Sequence, residues 1–526
     1  MWHAVRRFSS LVLLLGSVFV STMEVGLADE LKIGLKAELT SADPHVLNGP
    51  NRNVLNHVYE TLVASDGNLR PRPGLALSWR LVNPTTWEFR LRPGVKFHNG
   101  AALSAEDVKY SLERAMKLTG ARTYRSYLRD VDSVSIAGPD IVHVKLKTIS
   151  PTLPENLGLV AIIPHSLGDH ASEESFADGK SAIGTGPYRY VQWKRGESVL
   201  LARNPDYWGP REPWDKVWLQ FIPREPARAA ALISGGVDII SDVPANQEAS
   251  LKNFDTVSVT SYMLNYLMLD QFRDDSPYIK DANGQPLPRN PFKDLKVRQA
   301  VAHAINREGL IRFLMKADAT ATEQLVPKGF FGNDPTQKGL PYDVKAARGL
   351  LAQAGYPNGF RLTMHCSNNR YINDAKLCEA IAQALNQIGI KTEVAAMPFS
   401  VFLTRLAGGG ANGEPEFSMA LLGTGAVTGD SLTLLTAMIH SPGKGSGANN
   451  YGRYGNPAVD ALIDKAGATN DADQRLQLQK QAARLALQDE AVIPLQHINV
   501  AWAMKKQLTI VPSADGFTMA TQVRRK

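Results

Sequence analysis

The sequence predicts an α/β fold divided into more than one lobe. Three observations carry this. Beyond residue 294, apolar strand-like runs alternate with amphipathic helical ones, as in a parallel sheet layered with helices. Residues 273–294, RDDSPYIKDANGQPLPRNPFKD, make a polar break rich in Pro, Gly and Asp. Downstream of residue 28, every tryptophan except Trp502 precedes Leu219, so the second half differs in composition from the first. A chain of 526 residues holds about two to four domains of ordinary size. Its hydrophobic fraction of 44% is that of a soluble globular protein.

The N-terminus reads as an export signal. Arg6 and Arg7 make a positive start, and FSSLVLLLGSVFV (8–20) supplies an apolar core. Gly26-Leu27-Ala28 offers the small residues of a cleavage site. The apolar run is shorter than the roughly 20 residues of a membrane span. Cleavage after Ala28 is expected, and no cysteine follows the apolar core to carry a lipid. The product is expected to be periplasmic. Losing Arg6, Arg7 and Glu24 lowers the formal net charge of +7 by one. The charges are mixed, and no Lys/Arg run is longer than Arg524-Arg525-Lys526, so a solvated basic surface is expected and a nucleic-acid partner is not.

Along the mature chain, LKIGLKA (31–37) is a buried strand, followed by the turn-rich TSADPHVLNGPN and a helix over 53–61. WEFRLRPGVKF predicts two strands joined at Arg92-Pro93-Gly94, where Pro and Gly supply the turn dihedrals. Ser104 and Asp107 frame a capping box, and Val108, Leu112 and Ala115 repeat at helical spacing. VSIAGPDIVHVKLK (134–147) is a hairpin about Gly138-Pro139-Asp140. GTGPYRYVQWKRGESVLLARNPDYWG reads as strand, turn, strand and aromatic loop. DKVWLQFIP is a strand, 227–233 a short helix, VDII a buried strand and 262–269 another apolar run. The break at 273–294 reads as a surface loop or boundary. After it, LKVRQAVAHAINREGLIRFLM predicts one amphipathic helix, 374–388 a second, and KTEVAAM a strand. Asn456-Pro457 opens a helix to 465, and 473–487 forms the last. Cys366 and Cys378, in an oxidising compartment, form a local disulfide or remain free thiols. Without nearby His or acidic ligands they make a poor zinc site.

Signatures of catalysis are missing. There is no GxxxxGK[ST], no GxGxxG opening a helix, no HExxH and no GxSxG, despite the Gly/Ser-rich GKGSGANN (443–450). Lys96 and His98 share one face of a predicted strand, beside Asn99, but a solvated hairpin edge accounts for them without acid–base chemistry. Binding fits better. Tyr124, Tyr127, Tyr262, Tyr266, Phe399, Tyr451 and Trp502 fall on presumptive loops and strand ends, where rings with a polar handle serve a core or a closable pocket. GTGAVTGDS (423–431) follows the buried strand FSMALL, and open α/β sheets place ligands at such carboxyl-end loops.

Taken together, several blocks resemble one family. SWRLVNPTTWEFRLRPGVKFHNGAALSAEDVKYSLERA is similar to the signature of the family 5 solute-binding proteins, the dipeptide-, oligopeptide- and nickel-binding receptors of ABC importers. GTGPYRYVQWKRGESVLLARNPDYWG, residues 224–236, NPFKDLKVRQAVAHAINREGLI, GRYGNPAVDALIDKA and VIPLQHINVAWAMKK resemble later blocks in the same order, over essentially the whole mature chain. The resemblance implies a two-lobed periplasmic binding protein-like fold of the class II type with an inserted domain. The first lobe would comprise 29–70, 183–270 and 490–526, the inserted domain 71–182, and the second lobe 271–489.

What the family does follows as an expectation. The chain would be a monomeric receptor without cofactor or metal, and not an enzyme. It would capture a short peptide, or an opine, glycoside or metal chelate, and hand it to the membrane permease. A secreted hydrolase is the reading from another class, for which the chain offers no nucleophile constellation. The candidate ligand contacts are Asn48, Gly49 and Pro50 after the first strand, Tyr124 and Tyr127 in the inserted domain, and Tyr262, Asn265, Phe399, Tyr451, His497 and Trp502. The 423–431 loop adds Gly423, Thr424, Val427 and Asp430. In peptide-binding relatives this loop often carries a Trp after its first Gly and then an Asp that holds the peptide amine. Thr424 and Val427 stand at or near those places here. Either Asp430 serves instead, or the solute lacks a free amine at that end.

Overall fold

DTVSVTSYMLNYLML and IPLQHINVAWAM are rich in β-branched and aromatic residues and are too long for one ordinary strand position. In the computed structural model they form strands Asp255–Leu269 and Ile493–Met504, paired antiparallel. Residues 29–526 are described, apart from Ala121, Glu248 and Lys444; the export signal expected over 1–28 lies outside them. The long pair stands in the middle of a twelve-stranded sheet. On one side follow Ile239–Ser241, Glu30–Leu35, Lys216–Phe221, Ser198–Arg203 and Tyr188–Lys194. On the other lie Met419–Gly425, Arg361–Ser367, Lys391–Met397 and Ile279–Lys280. Glu30–Leu35 is parallel to both of its neighbours, and Arg361–Ser367 is parallel to Lys391–Met397 and Met419–Gly425. The result is two α/β lobes that share the long pair.

Each part has its own core. Leu31, Ile33, Val199, Leu219, Ile239 and Trp502 pack together in the first lobe. In the second, helices Leu295–Ala304 and Asp374–Gln387 lay Val297, Val301, Leu377 and Ile381 against Leu362, Met364 and Leu421. Phe402, Phe417, Leu435, Ile463 and Ala482 form a further cluster there. A separate antiparallel sheet, Ala76–Asn83, Thr86–Leu91, Ile141–Leu146 and Val131–Gly138, carries helix Ala105–Lys117 through Val108, Leu112 and Ala115. That helix starts as expected: the Ser104 N–H donates to Asp107 Oδ2 at 2.7 Å. The four-stranded unit is tied to the first lobe by Arg114, which donates to Asp43 Oδ1 at 3.0 Å and to His45 Nδ1 at 2.8 Å.

Four expectations need correction. Val95–Phe97 is no strand; a single bridge, Lys96 to Ala102, closes a short turn. His98 is not on a solvated edge. Its Nε2 donates to Gly186 O at 3.0 Å and its Nδ1 accepts from Gly184 N, so it pins the chain where it re-enters the first lobe. The helix expected over 295–315 breaks at Ile305, because the Asn306 side chain accepts from Gly309 N at 2.8 Å and caps a new start. Residues 273–294 are more than a surface loop. Asp270, fully buried, accepts from Arg273 Nε and Ser276 Oγ, each at 2.7 Å, and Asn290 donates to its backbone carbonyl.

Cys366 and Cys378 are bonded, joining strand Arg361–Ser367 to helix Asp374–Gln387 inside the core. The loop closed is short, so the Cys366→Ser/Cys378→Ser pair is expected to lower unfolding stability by about 2–3 kcal/mol in urea titration. Buried His57 accepts from the Ala520 N–H at 2.8 Å, holding the C-terminal segment against helix Arg52–Val58. Burial lowers its pKa to about 4. A lowered histidine pKa leaves stability intact above about pH 6.5 and erodes it as pH falls toward 4, because the unfolded chain takes the proton first. His57 alone should cost about 2 kcal/mol at pH 5, and His57→Gln should flatten the slope of stability against pH between 5 and 6.5.

Candidate ligand-binding cleft

The long strands pair out of step at one place. The register jumps between Thr260 and Leu264 and again between Asn265 and Tyr266. A bulge of this kind re-aims side chains. Ser261 Oγ donates to Ile498 O at 2.7 Å, and the Tyr262 N–H donates to Ala514 O, so Tyr262 leaves the sheet surface. Beneath it, Gly425 has no room for a side chain: a Cβ would lie 2.3 Å from the Tyr262 ring.

Tyr262 borders a cavity of about 480 Å³ between the parts of the molecule. The first lobe contributes Gly49, Arg52, Asn56, Glu60 and the C-terminal turn with Asp515 and Phe517. The four-stranded unit contributes Tyr124, Tyr127 and Glu155, and the second lobe Val427 and Thr428. The 423–431 loop reaches the first lobe because Gly429, at φ +76°, lets Leu69 O approach where a Cβ would stand 2.4 Å away.

The charged groups of the cleft differ in what they are free to do. Glu60 is committed, accepting from Thr185 Oγ1, Tyr207 Oη and Trp208 Nε1 at 2.8–3.1 Å. Asp66 is committed to the backbone N–H groups of Asn68 and Arg70 and to Arg72. Arg52 is not committed. Its guanidinium lies 4.9 Å from the centre of the Phe517 ring, and among the described residues its side chain has no ion pair or hydrogen bond. Asp515 accepts from Phe517 N at 3.0 Å; burial raises its pKa, against the pull of Arg52. Burial also raises Tyr124, Tyr127 and Tyr262, which keeps their hydroxyls neutral donors.

Of the residues expected from sequence, Gly49, Tyr124, Tyr127, Tyr262 and Val427 line this cleft. Asn48 borders a small adjoining recess, and Pro50 is exposed beside it. The others lie elsewhere. Trp502 is wholly buried in the first-lobe core, its Nε1 donating to Thr518 Oγ1 at 2.8 Å. Asn265 is buried in the sheet, where it accepts from Gln496 Nε2. Asp430 turns inward, accepting from Leu432 N and facing Arg475. Gly423 is covered by Tyr371, whose hydroxyl accepts from its N–H at 3.0 Å, and Thr424 pairs with Leu264. Phe399 packs with Tyr371 and Phe402, and Tyr266 and Tyr451 belong to the second-lobe cluster. His497 borders a different recess of about 800 Å³ beside Thr320, Gln324 and Arg307. Sequence reasoning missed Arg52, Glu155, Asp515 and Phe517. Only the polar turn Ser513–Gly516 ahead of an aromatic hinted at the last two.

Among the described residues no cluster of three or more His, Cys, Asp or Glu is arranged to hold a metal ion, and no helix is long and apolar enough to cross a membrane.

Comparison with known proteins agrees with this architecture. The chain is 28% identical over 491 residues to the glutathione-binding protein GsiB of Escherichia coli O1:K1, covering 92% of this chain and 91% of that one. HbpA2 of Haemophilus parasuis superposes with a TM-score of 0.81 at 23% identity, over 95% of this chain and 100% of the other. The periplasmic binding protein DppA of Helicobacter pylori, in complex with the peptide STSA, superposes at 0.72 with 25% identity, over 95% and 98%. The family described as bacterial extracellular solute-binding proteins, family 5 Middle, matches residues 70–446, more than half of the chain. This protein belongs to the bacterial extracellular solute-binding proteins of family 5.

Proposed function

We propose that this protein is the receptor of an ABC importer and captures a short peptide, or a similar small polar solute bearing a carboxylate, between its lobes. The observation that carries this is Arg52: a guanidinium that, among the described residues, makes no hydrogen bond or ion pair, held over an aromatic ring and near Asp515 in an interlobe cavity large enough for a small organic molecule. An arginine fork matches a carboxylate in two parallel hydrogen bonds. Tyr124, Tyr127 and Tyr262 add flat apolar surface with hydroxyl tips, which suits a backbone with variable side chains. The names of the relatives point the same way, since GsiB is a glutathione-binding protein and DppA holds the peptide STSA.

In this reading the solute undergoes no chemistry. Its binding energy draws 29–70, 183–270 and 490–526 toward 271–489 about the long strand pair, with 71–182 as the inserted third part, and the permease reads the closed form. The receptor works in the periplasm as a monomer after its leader is removed. The separate core of the four-stranded unit supports treating most of 71–182 as one body, although Ile163, Leu167 and Phe176 pack in the first-lobe core.

Native mass spectrometry of the purified mature protein is expected to find a co-purified small solute carrying a carboxylate; turnover of that solute by the protein would refute the reading. Added at about a hundred times its Kd, the same solute should stabilise the fold by about 2.7 kcal/mol. Arg52→Ala is expected to weaken binding of a free-carboxylate peptide by about 10–100-fold, the loss of one charged hydrogen-bonding pair. The corresponding C-terminal amide should lose little, as isothermal titration will show.

A further inference from the structure

Resting on that reading, we propose that Glu155 anchors a cationic ammonium group of the solute. Glu155 borders the cleft beside Val427 and Thr428. Behind it sits a charge cluster that spans the molecule: Glu155 from the four-stranded unit, and Asp430 and Arg475 from the second lobe. The Arg475 Nη2 lies 4.0 Å from Glu155 Oε1 and 3.6 Å from Asp430 Oδ2, too far for a good hydrogen bond to either. In this cluster Glu155 Oε2, Asp430 Oδ2, Arg475 Nε and the neighbouring Gln479 Nε2 are buried with no hydrogen-bond partner among the described residues.

Two carboxylates thus face one guanidinium. Buried charges are normally paired and hydrogen-bonded, and this cluster holds two carboxylates to one guanidinium, with the Gln479 amide beside Asp430 as a neutral neighbour. Arg475 cannot turn wholly to either acid, because its guanidinium also stacks 4.8 Å over the Phe331 ring. Asp430 is the inner acid, with Oδ1 already accepting from Leu432 N at 2.8 Å, and it does not border the cleft. Glu155 is the one of the two acids that borders the cavity, and its buried Oε2 accepts no hydrogen bond among the described residues. Its carboxyl is pushed up to about 7, by burial first and by the nearby Asp430 second. A group so placed gains more from an arriving cation than an exposed acid would. An ammonium supplies what is missing: one unit of positive charge and three N–H donors. The remaining cleft acids do not compete equally, since Glu60 and Asp66 are already satisfied and Asp515 lies beside Arg52.

The probes are a random tripeptide pool with free N-termini and the same pool N-acetylated, each read as a shift in Tm of the mature protein. Wild type is expected to be raised by the free pool at least fourfold more than by the acetylated pool. Glu155→Gln should respond equally to both, while Glu155→Asp, which keeps the charge, should still favour the free pool. Loss of the free-pool response alone, with the acetylated-pool response retained, separates a lost anchor from a misfolded variant. If Glu155→Gln still discriminates between the pools as wild type does, the assignment is wrong. If wild type favours the acetylated pool or treats the two alike, Glu155 binds no ammonium, though the peptide reading stands. If wild type responds to neither pool, the peptide reading fails and takes this assignment with it.

Discussion

Everything in this molecule is organised around the antiparallel pairing of Asp255–Leu269 with Ile493–Met504. Residues 270–492 lie between these strands in sequence, so the chain enters the second lobe along one and returns along the other. A shared strand pair leaves each lobe its own core and gives both a common axis. The register jumps within the pair fall where the two halves of the sheet meet. Bulged pairs twist more strongly than regular ones, so the pair is most irregular where the lobes join. The same irregularity turns Tyr262 out of the sheet and brings the turn at Ala514 against it. The junction of the lobes and one wall of the cleft are therefore the same piece of backbone.

The cleft shows how the fold sorts its charged groups. Glu60 and Asp66 spend their lone pairs on structure, closing the wall against Trp208 and fixing the turn before Arg70. Arg114 does the same between Asp43 and His45. Arg52 from the first lobe and Glu155 from the four-stranded unit border the same cavity with groups not so spent. A buried polar group without a partner costs free energy in the empty protein. For the buried Glu155 oxygen a cation would recover that cost, whereas Arg52 is only half-buried and its guanidinium stays open to an anion.

Much of the architecture was legible in the chain. Alternating apolar residues announced the strands of both sheets, and the Ser104-to-Asp107 spacing announced the start of a helix. The departures arose where one side chain overrode a periodic pattern. Asn306 has a local partner in the Gly309 N–H and so divides a helix whose apolar spacing runs on without a break. His98 looked exposed because its neighbours alternate like an edge strand, yet it finds Gly186 nearly ninety residues away. At the site, Tyr124, Tyr127 and Tyr262 were visible as aromatics near turns, but so was Trp502, and nothing in local sequence separates a ring that fills a core from one that faces a cleft.

By itself the sequence determined most of the elements, the polar break at 273–294 and the absence of catalytic signatures. These are properties of neighbours along the chain, where periodicity, capping and turn chemistry act over a few residues. Only the tertiary structure decided which charged groups border the cleft. Val427 lines the cleft while Asp430, three residues on, turns inward to Arg475, and Glu155 arrives from a short helix, Leu153–Leu157, of the four-stranded unit. Whether a carboxylate is spent on the fold or left for a ligand depends on which distant donors the packing brings within reach.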